Sequence, residues 1–133
     1  MAIDGWILDK SAVARSRDAG VMAQLEELAG VLWICPVGEL EQLYSTRSAV
    51  DYDALAAELR GTMQRAAAPP DLLDRALALQ RDLAHHHGLW HRTPIPELLI
   101  AETALHNGLG VVHVDGHYER IAEVRPLTAR RLR

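Results

Sequence analysis

Three short apolar runs alternate with helical patterns along the chain, and this alternation constrains the fold more than any other feature. The runs are WIL at residues 6–8, VLWIC at 31–35 and GVVHV at 110–114. Continuous apolar runs of strand length are typical of parallel strands covered on both faces. The sequence therefore predicts an α/β fold in which a central, mostly parallel sheet carries helices on both faces.

Helices are predicted between these strands from apolar residues at three- and four-residue spacing. They cover residues 18–29, a segment that begins at Pro36, and residues 52–66, 71–87, 97–108 and 117–123. Pro36 suits the first position of a helix because its missing N–H would be unpaired there. The segment VRPL at residues 124–127 is predicted as a last edge strand, since Pro126 is tolerated only at a sheet edge.

Length and composition limit the class of protein. The chain has 133 residues, 49% of them hydrophobic, which predicts one compact domain over residues 1–133. No apolar run approaches the roughly 20 residues of a membrane span, and no signal-peptide pattern is present, so we expect a cytoplasmic protein. The single cysteine, Cys35, excludes an internal disulfide. A net charge of −4 argues against a protein that holds nucleic acid by bulk charge.

Acidic residues lie where parallel strands end. Asp9 follows the first strand, Asp115 follows the GVVHV strand, and Glu39 is in the first turn of the helix after VLWIC. Glu97 begins the helix that leads into GVVHV. Each acid has a structural explanation as a helix cap, a turn residue or a first-turn acid. Three strand–helix junctions that each present an acid at one sheet edge nevertheless favour a binding site.

A cluster of carboxylates indicates a divalent cation, because unpaired acids held together repel one another. Mg²⁺ and Mn²⁺ take oxygen ligands, and Ser11 could add a hydroxyl. Such an ion activates water and stabilises charge on a phosphoryl group, so the residues predict a phosphotransfer or phosphodiester site. Helical periodicity does not distinguish Glu39 from Glu41, since each lies about 100° from the centre of the apolar stripe.

Three motifs in register resemble one known family. ILDKSA, CPVGELEQLYSTRS and HRTPIPELLIAETALHNGLGVVHVDGHYERIA are similar to segments of the PIN-domain endoribonucleases, and most of all to toxins of VapBC-type bacterial toxin–antitoxin systems. The resemblance implies a three-layer α/β/α PIN-like domain with four to five short strands. It also implies an endoribonuclease that hydrolyses RNA with a water activated by Mg²⁺ or Mn²⁺.

The resemblance assigns roles to the acids. Asp9 matches the first acid of the family's quartet, and Ser11 matches the small polar residue that supports it. Glu39 matches the second acid, which favours it over Glu41. Glu97 matches the third and Asp115 the fourth, and the metal ligands would be Asp9, Glu97 and Asp115.

Two positions depart from the family pattern. Glu97 stands where aspartate is usual, and His117 stands where many relatives carry another acid in a pattern like HxDxDF. Both side chains can bind a metal, so an active enzyme is expected, while the number of metals is left open. The alternative is a weakly active or inactive binding module with the same fold.

The resemblance also implies partners. We expect an RNA substrate, a cognate VapB-type antitoxin and a homodimer, with Arg92 and Arg47 as candidate RNA contacts. The helix of residues 52–66 and its neighbour are predicted to form a groove for the antitoxin. The histidines of HHHGLWH are not predicted to form a metal site, because consecutive histidines at a helix end point in different directions.

Overall fold

A parallel sheet forms the centre of the molecule. The computed structural model describes residues 3–133, so residues 1 and 2 of the predicted domain lie outside the described range. Five strands lie within that range: β1 (Trp6–Leu8), β2 (Leu32–Ile34), β3 (Gln64–Arg65), β4 (Gly110–His113) and β5 (Ala129–Arg131). They are all parallel, in the order β3-β2-β1-β4-β5. This confirms the predicted parallel sheet.

In the described part of the chain, seven α-helices connect the strands. They are α1 (Lys10–Ala14), α2 (Ala19–Glu27), α3 (Pro36–Tyr44), α4 (Ala49–Thr62), α5 (Leu72–His86), α6 (Ile95–His106) and α7 (His117–Ile121). Short 3-10 turns cover Ala29–Val31 and Trp90–Arg92. Among the helices of residues 3–133, none combines the length and apolar character needed to cross a membrane.

The sheet is covered on both faces because neighbouring strand residues point to opposite sides. Ile7 and Val111 belong to a large core with residues of α5, α6 and α7. Leu8 and Val112 belong to a second core with residues of α1 and α2. The three-layer α/β/α arrangement follows, as the sequence predicted.

The last strand lies further along the chain than predicted. The expected edge strand at residues 124–127 is wrong, because these residues form turns after α7, in which the N–H groups of Val124 and Arg125 donate to the carbonyl of Ile121. The strand is β5, which pairs with β4 through register positions such as Val112 and Arg130. The predicted helix of residues 52–66 lies earlier in the chain, since α4 spans Ala49–Thr62 and β3 follows.

This topology brings β1, β2 and β4 to end at one edge of the sheet. Parallel strands share a direction, so the residues that follow them meet beyond their carboxyl ends. Asp9, the first turn of α3 and Asp115 all lie at such strand ends. The edge is therefore the place where the predicted acids can meet.

Candidate active site

Asp9 is a buried carboxylate held from two sides. It is 3% exposed and caps α1, with Oδ2 accepting a hydrogen bond of 2.9 Å from the backbone N–H of Ser11. The other oxygen, Oδ1, accepts a hydrogen bond of 2.7 Å from the hydroxyl of Tyr118. Both bonds orient the carboxylate beyond the end of β1.

Ser11 connects the start of α1 to the fourth strand. Its hydroxyl oxygen accepts a hydrogen bond of 3.2 Å from the N–H of Val114, just after β4. Ser11 therefore fixes the spacing between the two chain segments that carry Asp9 and Asp115. Sequence reasoning predicted a supporting role for Ser11 but missed Tyr118, whose hydroxyl no spacing rule indicated.

Glu97, Asp115 and His117 converge on one point. The Nδ1 atom of His117 lies 2.8 Å from Oε2 of Glu97 and 3.3 Å from Oδ1 of Asp115. One ligand atom from each of the three residues lies within 4.8 Å of the other two. Asp115 Oδ1 also accepts a hydrogen bond of 2.9 Å from the backbone N–H of His117, which fixes the loop before α7.

The charge of this cluster perturbs Glu97 most. Burial, followed by the charges of Asp115 and Asp9, raises the pKa of Glu97 from 4.5 to about 8, with smaller contributions from a hydrogen bond to Asp115 and from the charge of Glu41. Burial also raises the pKa of Glu41, with the charge of Asp9 adding to it and Lys10 opposing it. Four acids therefore share one electrostatic field: Asp9, Glu41, Glu97 and Asp115.

Glu39 is not brought to this group, in contrast to the sequence prediction. Its Oε2 lies 2.7 Å from Nε of Arg65, and its Oε1 lies 3.6 Å from Nε of Arg60. Two residues apart on a helix are rotated by about 200°, so Glu39 and Glu41 point in different directions. Within the described residues, Oε1 of Glu41 is buried and has no hydrogen-bond partner. Glu41, and not Glu39, therefore shares the electrostatic field of Asp9 and Glu97.

Histidine 113 is a further buried group that the sequence did not single out. It ends β4 fully buried, and neither ring nitrogen has a hydrogen-bond partner within residues 3–133. Its ring packs against Tyr118 with centroids 5.2 Å apart, and burial lowers its pKa. His113 therefore packs against the same phenol whose hydroxyl donates to Asp9.

The candidate RNA contacts lie on exposed turns. Arg92 ends the 3-10 turn that leads into α6, and Arg47 precedes α4, with its backbone N–H donating to Asp51. Two of the consecutive histidines, His86 and His87, pack against the ring of Trp90.

The residues at the sheet edge fit a divalent cation. Glu97 is only 9% exposed, and its Oε2 has no hydrogen-bond partner among the described residues. Burying an unpaired carboxylate beside other carboxylates is costly, and a cation removes that cost. Carboxylate oxygens are suitable ligands for Mg²⁺ and Mn²⁺, and an imidazole nitrogen is a suitable ligand for transition metals.

Comparisons with known proteins place the chain in a family. No family model matches it. Ribonuclease VapC17 of Mycobacterium tuberculosis is 55% identical over 125 residues, which cover 91% of this chain and 90% of that protein. Among solved structures, VapBC2 from Rickettsia felis bound to a promoter DNA fragment has a TM-score of 0.69 at 14% identity, covering 96% of this chain and 98% of that one.

A second structure agrees in fold. VapBC-5 from Mycobacterium tuberculosis, a member of the VapBC family of toxin–antitoxin systems, has a TM-score of 0.65 at 19% identity. That match covers 96% of this chain and 98% of the other chain. The fold follows from these structures and the family from the sequence relative, so the chain belongs to the VapC family of PIN-domain ribonucleases.

Proposed function

We propose that this protein is a metal-dependent endoribonuclease toxin that a cognate VapB-type antitoxin neutralises. The observation that carries the proposal is the convergence of Asp9, Glu41, Glu97 and Asp115 at the carboxyl edge of the sheet. A chain that needed these acids only as helix caps would have no reason to bury them together, since their mutual repulsion is destabilising. Membership of a ribonuclease family supports RNA as the substrate.

Asp9, Glu97 and Asp115 are the residues that would hold Mg²⁺ or Mn²⁺. The bound ion would polarise the scissile phosphate and lower the pKa of a water molecule. The chain's own residues supply orientation: the Tyr118 hydroxyl and the Ser11 N–H fix the two oxygens of Asp9.

Glu41 is suited to hold a proton during hydrolysis. Burial has already raised its pKa, and a carboxylate with a raised pKa is a better proton acceptor near neutral pH. In-line attack of water on a backbone phosphate would leave a 5′-phosphate and a 3′-hydroxyl. A 2′,3′-cyclic phosphate product would contradict this route.

The antitoxin is proposed to occupy a groove beside the acids. Side chains of α1, α3 and α4 line it: Lys10, Val13, Ala14, Gln42, Ser45 and Leu55. Leu55 lies in the helix that was expected to form part of an antitoxin groove. A segment bound here would lie close to Lys10 and hence to the acidic edge.

A homodimer is proposed to form through an apolar face of α3, α5 and α6. Exposed side chains on this face include Leu40, Tyr44, Leu77 and Ile95. Two grooves on the face share Leu99, so the apolar surface is continuous between them. A contiguous exposed apolar surface marks an interaction site, and a second copy would cover this one.

The test is cleavage of total cellular RNA by purified, antitoxin-free protein with Mg²⁺, Mn²⁺ or EDTA. Asp9→Asn and Glu41→Gln should abolish cleavage, whereas Glu39→Gln, a matched change two residues away, should retain it. Loss of cleavage in Glu39→Gln with retention in Glu41→Gln would overturn the inclusion of Glu41 in the site. Folded protein that cuts no RNA in any condition would favour the inactive binding module that the Glu97 and His117 departures suggest.

A further inference from the structure

The candidate metal centre contains a nitrogen donor as well as carboxylates. We propose that His117 binds the metal directly through Nδ1 and that the site consequently prefers Mn²⁺ to Mg²⁺. The proposal rests on the metal-dependent function above and specifies the ligand and the ion of that same site.

The distances match adjacent ligand positions around one ion. With metal–ligand bonds of about 2.1 Å in octahedral geometry, neighbouring ligand atoms lie about 3 Å apart and opposite ones about 4.2 Å apart. His117 Nδ1 lies 2.8 Å from Glu97 Oε2 and 3.3 Å from Asp115 Oδ1. The imidazole nitrogen and one oxygen of each carboxylate can therefore bind one cation without a large rearrangement.

The close approach of His117 and Glu97 is not a hydrogen bond. Although Nδ1 and Oε2 are 2.8 Å apart, neither atom has a partner with hydrogen-bond geometry among residues 3–133. Glu97 is 9% exposed, so water does not readily satisfy its oxygen. Two potential metal-ligand atoms that approach each other without forming a hydrogen bond are placed to bind the same cation.

The backbone aims His117 into the site. Its N–H donates to Asp115 Oδ1, so α7 begins at a fixed distance from the loop acid. The side chain is 36% exposed, which leaves part of the ring at the surface while Nδ1 faces the acids. Replacement of this ring should therefore change the site with little effect on the core.

The nitrogen ligand determines the ion. Mg²⁺ is hard and takes oxygen ligands, whereas imidazole suits transition metals. Mn²⁺ takes octahedral oxygen ligands as Mg²⁺ does, but unlike Mg²⁺ it belongs to the series of first-row metals that bind sites with nitrogen as well as oxygen ligands. A site of two or more carboxylates and one imidazole therefore favours Mn²⁺.

The test uses the Mn²⁺-loaded full chain in pulsed electron paramagnetic resonance, which detects nitrogen coordinated to manganese. Wild type should show nitrogen coupling, and His117→Asp should lose it. His85→Ala is the control, because His85 is an exposed histidine at the end of α5. This control should retain the coupling. Its loss would show that the signal comes from a surface histidine and not from His117.

A second measurement compares Mn²⁺ and Mg²⁺ affinities by calorimetry. His117→Asp should reduce the ratio of Mn²⁺ to Mg²⁺ affinity by about tenfold. His117→Asn removes the imidazole without adding a charge, and it should weaken Mn²⁺ binding. Wild type that cleaves RNA and binds Mn²⁺ without nitrogen coupling would overturn this inference but leave the proposed function standing. An unchanged affinity ratio in folded His117→Asp would also overturn it.

Discussion

Replacement of Glu97 by glutamine should stabilise the metal-free protein while abolishing its activity. The side chain is buried beside Asp115 and Asp9, and this environment raises its pKa from 4.5 to about 8. Glutamine has nearly the same shape and can still donate a hydrogen bond to Asp115, but it cannot acquire a negative charge. The substitution thus removes the repulsion and one metal ligand together.

The magnitude follows from proton linkage. A carboxyl group with a raised pKa contributes stability below its unfolded pKa and loses it as pH rises towards the folded value. With values of 4.5 and about 8, ionisation of Glu97 should lower the free energy of unfolding by about 3.5 kcal/mol as the pH rises from about 5 to about 8. Because the glutamine amide replaces the carboxyl group with less suitable hydrogen bonds, part of this effect is lost. We expect Glu97→Gln to raise the free energy of unfolding by about 1–3 kcal/mol at about pH 8.

Urea unfolding in EDTA at about pH 5 and about pH 8 measures this difference. Glu39→Gln is the matched control, because Glu39 is a buried acid whose Oε2 lies 2.7 Å from the Nε atom of Arg65. That variant should be destabilised, since it removes an ion pair and not a repulsion. A gain for Glu97→Gln that did not grow with pH would refute the reasoning, as would full RNA cleavage by that variant.

Three further predictions concern residues of this site and of the central sheet. Glu41→Gln should weaken Mn²⁺ or Mg²⁺ binding in calorimetry, whereas Glu39→Gln should leave it unchanged; equal losses would contradict the observed separation of the two side chains. Tyr118→Phe removes the 2.7 Å hydrogen bond to Asp9. In urea titrations it should lower the free energy of unfolding by about 1–2 kcal/mol, and it should also slow RNA cleavage. Gly110→Ala would place a Cβ atom 2.7 Å from a tryptophan ring, so thermal unfolding should show a loss of about 1–3 kcal/mol, and an unchanged melting temperature would argue against this close packing.

The central strands could be predicted from the sequence, but the edge strands could not. β1, β2 and β4 are buried on both faces, so their residues are continuously apolar and mark them clearly. β3 is Gln64–Arg65 and β5 is Ala129–Arg131, and each has a neighbouring strand on one side only. A strand at the sheet edge can carry polar side chains, so the sequences of β3 and β5 show no apolar pattern that would predict them.

The positions of Asp9 and Asp115 could be predicted because topology alone places them. Each directly follows a central strand, and parallel strands bring their carboxyl ends together. Glu97 could not be placed in this way, since α6 runs towards β4 and only the packed fold brings its first turn to the same edge. Its inclusion depended on the resemblance to a family, and the structure now shows its contact with His117.

The choice between Glu39 and Glu41 required the partners of each side chain. Both lie near the border of the apolar face of α3, so helical geometry treats them alike. Arg60 of α4 and Arg65 of the unpredicted strand β3 come to Glu39 and compensate its charge. Glu41 instead faces Asp9, and Lys10 offsets only part of the resulting rise in its pKa. Arginine side chains already compensate the charge of Glu39, whereas neighbouring acids repel that of Glu41. A cation beside Glu41 would remove this repulsion, so we expect the metal to bind on the side of Glu41.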